Sequence, residues 1–195
     1  MPCTQAADDV YDFELTPFGA YRFGGEFDVT GTDSTLGLAD SPSYGLLMNF
    51  RQHANTQWEV LYSRQQTDAS AIGAPVNSSA LDVDIHTLQG GGTYQGDDDT
   101  VRPYLAATLG GTHMKTSSEG AQSDTFFSFS LGVGLQIRPN DRLGLRLEAR
   151  GYGILTDSKT DLFCATGPDQ NICAIRIDGT VLWQLETMVG IVFRF

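Results

Sequence analysis

Strict alternation over the last seventeen residues, GTVLWQLETMVGIVFRF from Gly179 to Phe195, restricts the fold of this chain more than any other feature. Val181, Trp183, Leu185, Thr187, Val189, Ile191, Phe193 and Phe195 fall on one side, and Leu182, Gln184, Glu186, Met188, Gly190, Val192 and Arg194 on the other. A repeat of two is that of a β-strand. One face is almost wholly apolar and ends on an aromatic ring, while the other carries a carboxylate, an amide and a guanidinium. Such a strand suits a wall with hydrocarbon outside and a polar lumen inside.

The pattern recurs along the chain. Segment 13–27 sets Phe13, Leu15, Pro17, Tyr21, Phe23 and Phe27 against Glu14, Thr16, Phe18, Ala20, Arg22 and Glu26; segment 44–52 sets Tyr44, Leu46, Met48 and Phe50 against Gly45, Leu47, Asn49 and Arg51. Segment 56–66 sets Trp58, Val60 and Tyr62 against Glu59, Leu61 and Ser63. Segment 81–95 starts with Leu81, Val83 and Ile85 outward and Asp82, Asp84 and His86 inward, then loses phase at Gln89 and Gly90–Gly92, which predicts a bulge. Segment 101–114 turns Arg102, Tyr104, Ala106 and Thr108 inward; segment 124–138 sets Phe127, Phe129, Leu131, Val133, Leu135 and Ile137 against Ser, Gly and Gln136. Segment 142–155 turns Arg146, Glu148, Arg150 and Tyr152 inward. With the terminal strand this predicts an all-β, eight-stranded antiparallel up-and-down barrel.

The connectors sort by parity. Residues 53–55, 96–99 and 139–141 make short turns, whereas 28–43, 67–80, 115–123 and 156–179 make long loops. Short turns at one end and long loops at the other are the arrangement of a membrane barrel. An even strand number puts both termini at the short-turn, periplasmic end, with residues 1–12 as a periplasmic segment and 13–195 as one barrel domain.

Composition sets the remaining bounds. A chain of 195 residues makes one domain. Mean hydropathy is −0.17, as expected where every spanning strand is half polar. The net charge of −12 argues against nucleic acid, which needs a basic footprint, and against a polybasic lipid anchor. The N-terminal MPCTQAADDVYD has no basic and apolar export signature, so any such signal lies outside this numbering. Cys164 and Cys173 flank a turn-rich segment and read as a disulfide; Cys3, at the opposite end of the barrel, is expected to pair with neither.

A soluble eight-stranded barrel would reverse the two faces, with the greasy one lining a ligand cavity. The apolar faces are too bulky on nearly every strand for so small an interior, and the opposite faces are rich in Gly, Ser and Ala. The membrane orientation follows.

The stretches ELTPFGAYRFGGEF, VRPYLAATLGG, FSFSLGVGLQI, DRLGLRLEARGYG and the terminal VGIVFRF resemble the small outer-membrane β-barrels of Gram-negative bacteria (porin-like, OmpA/OmpX/OmpW-like) over almost the whole chain. The resemblance implies an eight-stranded barrel in the outer membrane, surrounded by lipid and lipopolysaccharide. It also implies a C-terminal signal, Phe193 and Phe195, read by the barrel-assembly machinery.

Function is less determined. The inward set holds Glu14, Arg22, Glu26, Glu59, Asp82, Asp84, His86, Arg102, Arg146, Glu148, Arg150, Glu186 and Arg194. Buried charges must pair, because an orphaned one costs several kcal/mol. A hairpin symmetric about residue 168 sets Arg150 opposite Glu186, and closure brings Glu14 to Arg194. The expectation is a salt-bridged, non-conducting lumen in a structural or surface-interaction protein whose extracellular loops meet a protein partner. A narrow channel for small or apolar solutes, with Phe18, Leu47, Leu61 and Met188 lining it, is the alternative.

A lipid-modifying enzyme is the third reading. His53 lies in a tight turn, His113 near a strand end, and His86 inward near Asp84 and Ser63, without a His-x-Ser spacing, so no catalytic residues are assigned. No cofactor or metal is assigned either. Asp97-Asp98-Asp99 lacks the spacing of a calcium loop and reads as a strand-breaking turn. Acidic residues of the outer loops (Asp33, Asp40, Asp68, Glu119, Asp157, Asp161 and Asp169) would hold lipopolysaccharide only through divalent cations.

Overall fold

The computed structural model describes residues 12–28, 35–72, 81–98, 100–116, 123–155, 164–166, 171–173 and 181–195. Among them are twelve strands and no helix: β1 (Phe13–Phe23), β2 (Glu26–Asp28), β3 (Thr35–Leu38), β4 (Ser41–Arg51), β5 (Thr56–Ile72), β6 (Leu81–Gln95), β7 (Val101–Thr116), β8 (Asp124–Ile137), β9 (Leu143–Leu155), β10 (Cys164–Thr166), β11 (Asn171–Cys173) and β12 (Val181–Arg194). Eight of them, β1, β4, β5, β6, β7, β8, β9 and β12, pair antiparallel each with the next, and β12 returns to β1. The barrel is therefore closed and has no free edge, which is what a sheet in hydrocarbon requires.

The connections at 52–55, 96–100 and 138–142 lie at one end together with both ends of the barrel strands, where Phe13 and Phe195 exchange backbone hydrogen bonds of 3.4 and 2.9 Å. At the opposite end the strands run further than the sequence pattern suggests. β5 continues to Ile72, into the expected loop 67–80, and β7 reaches Thr116. The expected loop 28–43 contains β3, which pairs with β2 and with the extended part of β5. The expected loop 156–179 contains the β10–β11 hairpin.

Segment 13–27 is not one strand, as its alternation suggested. It breaks at Gly24-Gly25, and Glu26 belongs to β2, whose side chains lie outside the described residues. A Cβ on Gly24 would stand 1.8 Å from the carbonyl oxygen of Leu38, so only glycine lets the β3 end approach here.

Segment 81–95 gives a second correction. The β5–β6 register runs unbroken from Thr56↔Tyr94 to Ala69↔Leu81, and the β6–β7 register from Val83↔Thr116 to Gln95↔Tyr104. No bulge intervenes, so the strand cannot change face. Gln89, Thr93 and Gln95 point inward and take Val83 and Ile85 with them, both buried; Asp84 and His86 therefore face outward, opposite to expectation, and Asp82 shares their phase.

Elsewhere the faces are sorted as the alternation predicts. Trp58, Leu105, Leu131 and Trp183 are 56%, 62%, 62% and 59% exposed on the outside. Arg146, Arg150 and Glu186 are buried inside, at 3%, 0% and 0%. The inverted arrangement of a soluble barrel is thereby excluded.

Inside, the barrel packs as tightly as a core. Phe18, Leu47, Leu61, Met188 and Tyr152 form one apolar cluster across it. Phe18 finds room because its neighbour across the ladder is Gly45, where a Cβ would lie 2.1 Å from the Tyr62 carbonyl oxygen and 2.6 Å from Phe18 Cζ. The substitution Gly45→Val overpacks this point against backbone. It is expected to cost about 1–3 kcal/mol, read as a lower urea midpoint for unfolding from lipid vesicles, with heat-modifiable gel mobility reporting the folded fraction.

Candidate functional site

The lumen holds the chain's densest chemistry, arranged in three ionic groups along the barrel axis. Nearest the short turns, the first and last strands meet in register at Glu14↔Arg194, and Arg194 Nε donates to Glu14 Oε1 at 3.1 Å. Gln136 donates to the other oxygen of Glu14 at 3.2 Å, and Gln95 links Gln136 and Gln57 at 3.1 and 2.9 Å. Arg138, in the turn after β8, adds a guanidinium 3.7 Å from Glu14. Partial burial, with Arg194 close by, pushes the Arg138 pKa down to about 10.

The middle group is a closed ring of four charges. Glu59 accepts from Arg146 at 2.7 Å and from Arg150 at 2.6 Å; Glu148 accepts from Arg146 at 2.7 Å and from Arg150 at 2.5 Å. Each carboxylate bridges both guanidiniums, and the ring is electrically neutral. Its remaining donors and acceptors are met as well. Arg146 donates to Asn49 at 3.2 Å and to the Tyr104 hydroxyl at 2.8 Å, and that hydroxyl donates to Glu148 at 2.5 Å. Arg150 donates to Thr108 and Ser130 at 3.2 and 3.0 Å. The Arg146 guanidinium also stacks 4.4 Å from the Tyr104 ring centre.

Glycine makes the space. A Cβ on Gly132 would lie 2.4 Å from Glu148 Oε1, and one on Gly134 would lie 2.3 Å from the Tyr104 hydroxyl. The small residues of the β8 inner face are thus the volume into which β7 and β9 send their long side chains.

Beyond the apolar cluster comes the third group. Arg22 pairs with Glu186 at 2.7 Å, again across the register of first and last strands, and Glu186 also accepts from Ser43 at 2.6 Å and Tyr152 at 2.8 Å. Arg22 donates to Ser63 at 2.9 Å and Gln65 at 3.3 Å, and lies 4.2 Å from the Tyr152 ring centre. On the β6–β8 wall, Gln89, Thr108, Ser130, Ser128, Thr112 and Thr87 form a chain of hydroxyl and amide bonds of 2.6–3.1 Å.

Glu14, Arg22, Glu59, Arg146, Glu148, Arg150, Glu186 and Arg194 thus all stand inside. Arg102 sits at the short-turn rim and donates to the Asp98 carbonyl at 2.8 Å. Arg150 and Glu186 are register partners but do not form an ion pair with each other. Glu186 is flanked by Arg22 on its other side and takes that partner, while Arg150 reaches the two carboxylates of the middle ring. Asn49, Tyr104 and Tyr152, which sequence reasoning did not count as part of the network, complete it. Their inward parity was visible; their role as hydrogen-bond partners depends on contacts across the barrel.

His86 departs from expectation. It faces outward and away from Ser63; its Nδ1 lies 3.0 Å from the Tyr62 hydroxyl and its Nε2 3.4 Å from Asp84. Asp84 in turn accepts two bonds from Arg64, at 3.0 and 2.7 Å, so its carboxylate is held by a cation. His113 faces Thr125 at 2.9 Å, also outside. In the acidic turn, Asp98 Oδ1 accepts from the backbone N–H groups of Thr100 and Val101 at 2.9 and 3.0 Å, which holds its carboxyl below the usual range and starts β7. Asp97 bonds Asn55, tying neighbouring short turns together. Among the described residues no cluster of His, Cys, Asp and Glu is placed to hold a metal ion. Cys3 and most of the 156–179 segment lie outside the described residues. The backbone of Cys164 stands directly opposite that of Cys173 in the β10–β11 register.

The middle ring makes a specific demand. Glu59→Gln keeps the shape but leaves two buried guanidiniums with one carboxylate between them. Removal of one partner from such a pair is expected to cost about 3–5 kcal/mol, measured as the shift in urea unfolding from vesicles. Arg51→Gln, at an exposed strand end, provides the near-neutral comparison.

In overall shape the chain is similar to Neisserial surface protein A, at 15% identity and a TM-score of 0.63, covering 94% of this chain and 97% of that one. It is similar also to the outer membrane protein AlkL in lipid bilayers, at 12% identity and a TM-score of 0.54, covering 100% and 95%. Ail of Yersinia pestis matches at 15% identity and a TM-score of 0.47 over 95% and 100%. No curated protein sequence matches the chain. Residues 3–172 match the family model of the outer membrane protein beta-barrel domain, and with the closed, greasy-sided barrel already described this chain belongs to that family, an integral protein of the bacterial outer membrane.

Proposed function

We propose that this protein is a sealed, non-enzymatic barrel that serves as a structural or surface-interaction element through its long loops. The observation that carries the reading is the middle ring: Glu59, Arg146, Glu148 and Arg150 reach from β5 to β9 and fill the lumen with mutually satisfied charge. An interior of eight strands is about wide enough to be filled by its own side chains. Phe18, Leu47, Leu61 and Met188, candidates for lining an apolar route, pack on one another in a buried layer, which favours filling over passage. Among the described residues the outward His86 is bonded to Tyr62 and Asp84, and Asp84 to Arg64, which favours a surface ion-pair cluster over an acyl-transfer site.

In this reading the short turns and both termini face the periplasm, and the segments 28–43 and 156–179 face outward and meet any protein partner. Phe193 and Phe195, on the outer face of the last strand, serve as the signal for the barrel-assembly machinery. A Cys164–Cys173 disulfide staples the last loop. Residues directly opposite in an antiparallel pair have Cα atoms about 4.5–5.5 Å apart, within the span a disulfide bridges. It would contribute roughly 2–3 kcal/mol in a loop this short.

Two measurements test this. In planar bilayers the wild type is expected to give no steady openings, and Glu59→Ala combined with Arg146→Ala to give them; large, steady wild-type conductance would end the sealed-lumen reading. Under denaturing conditions without reductant, maleimide should label one cysteine per chain, and all three after reduction. Three labelled cysteines before reduction would remove the disulfide.

A further inference from the structure

We infer that the outer wall of β5–β8 carries a binding site for one glycerophospholipid. A single register row crosses these four strands as Trp58↔Gly92, Gly92↔Ala107 and Ala107↔Leu131. All four residues belong to the outward face, so the row reads large, small, small, large. The result is an open trough of about 560 Å³, with Trp58 and Leu131 as its sides, Gly92 and Ala107 as its floor, and Tyr94 and Leu105 at the turnward end. Trp58, Tyr94, Leu105 and Leu131 are all more than half exposed, so these walls project into the surrounding medium.

Four considerations identify the occupant. The trough is continuous with the apolar belt, the interface this barrel makes with hydrocarbon, so what fills it comes from the bilayer. Its sides stand three strand spacings apart, about 14 Å. That admits acyl chains but not the curved wall of a second barrel. At the turnward end the trough is lined by Thr56, whose Oγ1 is buried with no hydrogen-bond partner. A buried hydroxyl left unpaired costs free energy, and the ester or phosphate oxygens of a glycerophospholipid are acceptors joined to chains that fit the slot. Trp58 and Tyr94 are amphipathic rings of the kind that favours the depth where headgroup and chain meet. The choice of phospholipid over the phosphorylated glucosamine lipid of the other leaflet rests on the periplasmic placement of the short turns proposed above.

The test is native mass spectrometry of the full chain released from outer membranes in mild detergent, with the retained lipid identified by class. Wild type should keep one phospholipid. Ala107→Leu, which fills the floor, and Thr56→Val, which removes only the hydroxyl, should each lower the retained fraction at least fivefold, whereas Ile191→Leu, elsewhere on the belt, should not. If Ala107→Leu does not fold, Thr56→Val decides. Equal retention in all variants, or no lipid on wild type, overturns the site. Retention of the glucosamine lipid in a trough-dependent way overturns the phospholipid assignment and, separately, the orientation on which it rests. A dimer lost in Ala107→Leu would assign the trough to a second copy and overturn the proposal.

Discussion

Closure of the backbone ladder is the constraint from which the rest follows. In hydrocarbon an unpaired N–H or C=O has no water to turn to, so a sheet must join its own edges. Here the join is between β1 and β12, in register from Glu14↔Arg194 to Phe23↔Leu185. The ladder lapses only around Pro17, which has no N–H to give. Once the ladder is closed and unbulged, every residue's face is decided by parity. Apolar residues outside then meet lipid, and whatever polar residues remain are committed to an interior too narrow to hydrate them freely.

That commitment explains the lumen's composition. Two arginines and two glutamates in one ring would be costly if any were alone, and the structure satisfies them by sharing each carboxylate between both guanidiniums. The Gly and Ser of the β8 inner face are the other half of the arrangement: they give up side-chain volume so that Glu148, Arg150 and Tyr104 can lie across the inner wall. Charge inside and glycine inside are one feature.

Much of this was legible in the sequence, because parity is a local property. The strands, the short-turn end, the outward Phe and Leu positions and the Glu14–Arg194 and Arg150–Glu186 registers need only counting. Two kinds of information were not local. The face of Val83 and Ile85 could not be taken from their own segment, since apolar residues at the loop end of β6 sit inside; the phase is set by Gln89, Thr93 and Gln95 further down the same unbroken ladder. Choice of ion-pair partner was also hidden. Glu186 has an arginine on each flank, Arg22 and Arg150. Which one it takes depends on Glu59, a residue on a strand from the other side of the barrel. The outward cluster of Arg64, Asp84, His86 and Tyr62 escaped notice for the first reason, because misplacing β6 by one face hid its neighbours from each other.

The distribution of these ion pairs along the seam has a consequence for assembly. Glu14–Arg194 and Arg22–Glu186 both join the first strand to the last, one near the short turns and one deeper in the barrel. The middle ring joins β5 to β9 across the lumen. Glu148 meets Arg146 and Arg150 within β9 itself, but the seam pairs and the contacts of Glu59 are far apart in sequence, so an open sheet of the same strands lacks them and leaves Glu14, Arg22, Glu59, Glu186 and Arg194 to water. As the sheet curls, that water must leave, and the desolvation is compensated only at the geometry where all three groups meet their partners. A register slip of one residue at the seam would turn one of the two strands over, sending either Glu14 and Arg22 or Glu186 and Arg194 to the lipid side. The seam charges therefore penalise wrong closure, because a slipped strand leaves them without partners.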